Sequence, residues 1–136
     1  MTSRLNPYIS FVDNARQALE FYEDVFGGTL TLNTFGEQGA QHSPDDADKI
    51  MHGMLKTDSG HTLMAADTPA GMQHHPGNNM ALSLSGHDAD ELHGYWEKLS
   101  ASGTVTVPME KQMWGDEFGR CVDKFGIGWM VNIDAS

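Results

Sequence analysis

Apolar and polar residues alternate from Tyr8 to Val12, Tyr-Ile-Ser-Phe-Val, and this two-residue period predicts a short strand. Pro7 suits its start, where a missing N–H matters least. The period then changes. Ala18, Leu19, Tyr22, Val25 and Phe26 recur at helical spacing and form one apolar stripe. Asn14 is placed to cap that helix and Gly27-Gly28 to end it. Thr29 to Phe35 reads as a strand. Gly36 to Asp48 has no apolar period and reads as a mobile loop, either an ordinary solvated loop or a lid. Lys49 to Lys56 and His61 to Ala66 are strands joined by the hairpin turn Thr57-Asp58-Ser59-Gly60.

The order then repeats after the linker-like stretch that ends at Gly77. Asn79 to Leu84 reads as a strand. Asp88 caps a second helix, with Glu91 placed for a capping box. Leu92, Tyr95, Trp96 and Leu99 form its stripe. Thr104 to Pro108, Glu117 to Asp123 and Gly128 to Ile133 are the remaining strands. The prediction is an α+β fold of two β-α-β-β-β modules, 5–67 and 78–134, joined by a linker over 68–77. One domain, 1–136, would then hold two curved mixed sheets around a cleft. Each helix would cover the outer face of its own sheet. A module of this size holds little core alone, so a shared interior is expected.

The 136 residues carry 19 acidic and 8 basic side chains, a formal net charge of −11. Such a surface repels phosphate backbones and anionic lipid, so neither nucleic acid nor a membrane is an expected partner. Cys121 is the single cysteine, which rules out an intrachain disulfide and a Cys-rich zinc site. Its apolar neighbours predict a buried, inert thiol. The first residues lack the apolar core of a signal peptide, and no stretch has the length of a membrane span. The expected location is the cytoplasm.

Several motifs carry a resemblance. Asn6-Pro7-Tyr8-Ile9-Ser10-Phe11, Asn14-Ala15 and Phe21-Tyr22-Glu23-Asp24-Val25-Phe26-Gly27-Gly28 open the chain. Met51 to Leu55 and Leu63 to Asp67 follow. Trp114-Gly115-Asp116-Glu117-Phe118-Gly119-Arg120 and Asp123-Lys124-Phe125-Gly126 close it. Together they resemble the vicinal oxygen chelate superfamily, the glyoxalase/bleomycin-resistance/dioxygenase group. Its PhnB-like branch is the nearest match. Members of that branch carry the name 3-demethylubiquinone-9 3-methyltransferase, although nothing in these residues resembles a methyltransferase. Lys124 stands where the family usually has proline, which implies a looser turn.

The resemblance implies that a divalent metal would be held by four side chains, from the first and last strand of each module. Matching the motifs puts Pro7, Asn79 and Met130 at three of these places, with Met64 near the fourth. Pro7 has no donor, and thioethers suit neither zinc, nickel nor magnesium. No metal and no other cofactor are therefore expected. The same match turns Pro7, Ile9 and Phe11 inward, opposite Tyr8 and Ser10.

Other chemistry is sparse. His52, in phase with Ile50 and Met54, reads as a pocket-wall histidine, a catalytic base or a ligand of a shifted metal site. His61, His74, His75 and Asp67 are its neighbours in sequence. His42, His87 and His93 read as superficial. The sequence has no Gly-x-Ser-x-Gly, Gly-x-Gly-x-x-Gly, Walker or His-Glu-x-x-His motif. Candidate ligand contacts are Tyr8, His52, Met54, Met64, Asn79, Trp114, Phe118, Arg120, Met130 and Asn132. Methionines on strands serve a deformable apolar pocket or an ordinary core. Trp129 and Met130 must face opposite sides, with Asn132 on Met130's side. Asp116, Glu117 and Arg120 read as a polar cluster at a cavity mouth, or as a charged turn.

The leading expectation is a binder of an unidentified small molecule, working as a homodimer. The alternatives are a lyase, isomerase or dioxygenase using His52 or a shifted metal, and a dimeric interaction module with a vestigial cavity.

Overall fold

Alternation and the helical stripe place the elements as the sequence implies. The structure is a computed structural model that describes residues 3–39 and 44–135. The chain divides into two compact units, Met1–Pro76 and Gly77–Ser136. In the first, β1 (Tyr8–Phe11), α1 (Ala15–Phe26), β2 (Thr29–Thr34), a 3-10 turn (Pro44–Asp46), β3 (Ile50–Lys56) and β4 (Thr62–Asp67) follow in order. The second runs β5 (Leu82–Gly86), α2 (Ala89–Ala101), β6 (Thr104–Lys111), β7 (Glu117–Val122) and β8 (Gly128–Ile133). The sheets have orders β1-β4-β3-β2 and β5-β8-β7-β6. In each, the first and last strands are parallel and the other pairs antiparallel.

In the first unit the stripe Ala15, Ala18, Leu19, Tyr22, Val25 and Phe26 is buried, with Phe11, Leu55, Leu63 and Ala65 of the sheet. Glycine lets the helix approach. A Cβ on Gly53 would strike the Leu19 side chain. The second unit uses the same device, since a Cβ on Gly119 would lie 2.8 Å from the Trp96 ring. Its core joins Leu92, Val131 and Ile133, with Leu84, Trp96 and Met109 packed against them. Each α-helix thus covers one face of its own sheet, and the opposite face, which carries no helix of its own unit, is termed the open face.

The units also share a turn. Thr57 N donates to His61 O and Gly60 N to Thr57 O, and Asp123 N and Gly126 N repeat this with Ile127 O and Asp123 O. Asp123 adds a buried clasp. Its Oδ1 accepts from Phe125 N and Ile127 N, and its Oδ2 accepts from Trp129 Nε1 at 2.8 Å. The turn without the family proline is therefore fastened rather than loose.

Several boundaries and contacts differ from expectation. Asn14 is the N-cap of α1 but its side chain makes no cap bond. Asp67 Oδ1 accepts from Ala15 N instead. Asp88 does cap α2, accepting from Glu91 N, while Glu91 Oε1 accepts from Tyr95 rather than closing a box. β5 starts at Leu82 rather than Asn79. β6 passes through Pro108 to Lys111, because an edge strand with a register shift between Val107 and Glu110 loses no ladder bond there. Of the loop 36–48, residues 40–43, His42 among them, lie outside the described residues. Its far end is anchored, since Asp46 is buried, pairs with Lys49 at 3.0 Å and accepts from Ala70 N.

Candidate functional site

Side chains directly opposite on neighbouring strands share a face, so the registers define rows across each open face. In the first sheet one row is Tyr8, Met64, Met54 and Thr31. In the second the corresponding row is Ser83, Met130, Arg120 and Val107. The next row of the first sheet holds Ser10 beside Ala66, and His52 beside Asn33. Its counterpart holds Ser85, Asn132, Phe118 and Glu110. The two modules thus present the same frame with different chemistry.

These rows collect Tyr8, His52, Met54 and Met64 in one unit, and Phe118, Arg120, Met130 and Asn132 in the other. Asn79 lies in an exposed bend before β5, and Trp114 is 61% exposed in the turn between β6 and β7. Thr31, Asn33, Val107 and Ser83 are not among the candidate contacts read from the sequence. The internal repeat, aligned row by row, was the signal that would have found them.

Two facing assignments are corrected. Ile9 and Phe11 point to the helix, with Phe11 4% exposed, so Tyr8 and Ser10 occupy the open face and Pro7 does not. Tyr8, not Pro7, opposes Met64. Ile50 is buried and would lie 3.5 Å from a Gly53 Cβ, so it faces the helix while His52 does not. The register shift between Asn33 and Thr34 accompanies that break in phase.

The His52 ring stands 5.9 Å from the Tyr8 ring, tilted by 32°. No described residue hydrogen-bonds either side chain, so none of them orients His52 as a catalytic base is oriented by its partner. His74 approaches the rim of this face, where its Nε2 donates to Ser10 O at 2.9 Å. His75 meets Gln73, and His61 is exposed.

Asp116, Glu117 and Arg120 do not form one cluster. Asp116 accepts from Asn132 Nδ2 at 3.0 Å and from Ala135 N at 2.8 Å, and these bonds hold its carboxyl below the usual range. Glu117 pairs with His93 of α2 at 3.0 Å. Arg120 lies on the opposite side of β7 from Glu117. Asn132 Nδ2 also donates to Asp134, so its amide hydrogens are engaged. Trp129 is buried and Met130 takes the other face, as alternation requires. Cys121 is fully buried, and desolvation, helped by the Asp123 charge, pushes its thiol up to about 11. It is no nucleophile near neutral pH.

Residues 4–131 match the Glyoxalase/Bleomycin resistance protein/Dioxygenase superfamily. The chain belongs to that superfamily. Protein PA1353 from Pseudomonas aeruginosa is 31% identical, with a TM-score of 0.87 over 99% of this chain and 100% of that one. Protein YjdN of Escherichia coli K12 is 29% identical over 95% of this chain and 94% of its own. A Bacillus cereus protein described as a putative 3-demethylubiquinone-9 3-methyltransferase, PhnB protein, shares the fold. Its identity is 17% and its TM-score 0.74, over 97% of this chain and all of its own.

The metal set implied by this superfamily does not fit here. Strand register places Tyr8 opposite Met64 and Ser83 opposite Met130, so the first and last strands offer a phenol, a hydroxyl and two thioethers. Pro7 and Asn79 do not repair the set. Among the described residues no three His, Cys, Asp or Glu side chains come together to hold a metal. Among those residues no helix is long and apolar enough to cross a membrane.

Proposed function

We propose that the protein binds a small organic molecule on its open sheet faces, without the divalent metal of its metal-dependent relatives. The observation that carries this reading is the pair of matching rows, Tyr8-Met64-Met54-Thr31 and Ser83-Met130-Arg120-Val107. Each joins flexible thioether surface to a few polar groups, the composition of a binding surface rather than of a reactive centre. Among the described residues none hydrogen-bonds the His52 ring, which favours binding over base catalysis. The proposal includes a homodimer in the cytoplasm, supported by the commonness of two-fold pairing and by the lone buried thiol.

Thermal-shift screening of a metabolite panel tests it. A ligand at a hundredfold excess over its Kd adds about 2.7 kcal/mol of stability, a readable rise in Tm. Met130→Glu or Met64→Glu puts a charge into one row and should weaken that ligand at least tenfold. A ligand whose stabilisation survives both variants binds elsewhere and contradicts the proposal.

A further inference from the structure

The corresponding rows differ most at one place. Where β3 carries Met54, β7 carries Arg120. The first module shows that this position takes a thioether without disturbing the frame, so the fold does not require a cation there. Arg120 is half-buried. Among the described residues its guanidinium has neither an ion pair nor a hydrogen bond, in a chain with 19 acidic residues to 8 basic ones. Its row neighbours are Met130 and Val107, with Phe118 two residues along the same strand. The Asp116 carboxylate is engaged by Asn132 and Ala135. Glu110 pairs across from Phe118 rather than Arg120.

We infer that Arg120 receives the carboxylate of an organic anion whose apolar body lies on Phe118, Met130 and Val107. This inference rests on the small-molecule-binding reading and names its ligand class. A guanidinium presents a planar fork that matches a carboxylate with two parallel hydrogen bonds. Apolar flanks strengthen such a pair by limiting water. Asn132 cannot donate, because its amide hydrogens go to Asp116 and Asp134. The net charge of −11 does not forbid an anion here. At physiological salt, charges beyond about 8 Å are largely screened, and the contact with Arg120 is short-range.

Two isosteric probes test the inference on the full chain by amide and arginine Nε–H NMR. Naphthalene-2-carboxylate should shift the Arg120 Nε–H, Phe118 and Met130 signals and bind at least tenfold more tightly than naphthalene-2-carboxamide. Arg120→Met, the residue the first module uses, should remove that preference while leaving the spectrum folded. Arg120→Lys, which keeps the charge and loses the fork, should retain part of it. Equal binding of both probes at these residues overturns the anion and leaves the binding surface intact. Shifts centred on His52 and Met64 instead overturn the role of Arg120 and keep the open-face reading. Absence of shifts on either face with both probes overturns both.

Discussion

Replacing Asp67 with alanine is expected to lower the unfolding free energy by about 3–5 kcal/mol, enough to threaten a domain of ordinary stability. The carboxylate is 5% exposed. Its Oδ1 accepts from Ala15 N at 2.9 Å, the first residue of α1, and its Oδ2 accepts from Ile50 N at 2.8 Å, the first residue of β3. One side chain at the end of β4 therefore closes the starts of two other elements. Alanine leaves two buried donors with no acceptor, and water has little access to replace it. Asp67→Asn keeps one acceptor and should lose less. Urea midpoints of the three proteins give the test. A loss below about 1 kcal/mol for the alanine variant would show that the donors find other partners.

Gly28→Ala should cost about 3 kcal/mol through backbone strain and close contact together. Gly28 has φ +118, a region that side chains rarely adopt. A Cβ there would meet Lys56 O and lie 2.7 Å from the Thr57 Cα. These are backbone atoms of the β3–β4 hairpin, so no rotamer change relieves the contact. Gly94→Ala is the matched control. It lies inside α2 with nothing within 4 Å of its Cβ position, and alanine there should stabilise by roughly 0.5–1 kcal/mol. Equal effects of the two substitutions, read from denaturant midpoints, would contradict the geometry.

The architecture was legible because period and turn chemistry agreed. Leu19, Tyr22 and Phe26 spelled one helical face, and Gly60 and Gly126 closed two like turns. What stayed hidden was set by contacts distant in sequence. Asp67 looked like the edge of a linker, yet it caps a helix 52 residues away. Asn14 has the right chemistry for a cap, but Asp67 supplies the bond. Ile50 and His52 share parity, and only the register shift beside Thr34 separates their faces. The facing of Tyr8 depended on its register against Met64, which alternation within a four-residue strand cannot fix. The candidate residues Met54, Met64, Phe118, Arg120 and Met130 were legible individually. Their arrangement in matching rows was not, because rows are a property of strand pairing.

The central claim is that the open faces hold a ligand without a resident metal. Elemental analysis of protein purified without a metal-binding tag and dialysed into metal-free buffer tests it most directly. Methionine, tyrosine and serine at the strand positions predict far less than one metal per chain. A value near one per chain would contradict the account, and the histidines His52, His61, His74 and His75 would then be the side chains to replace.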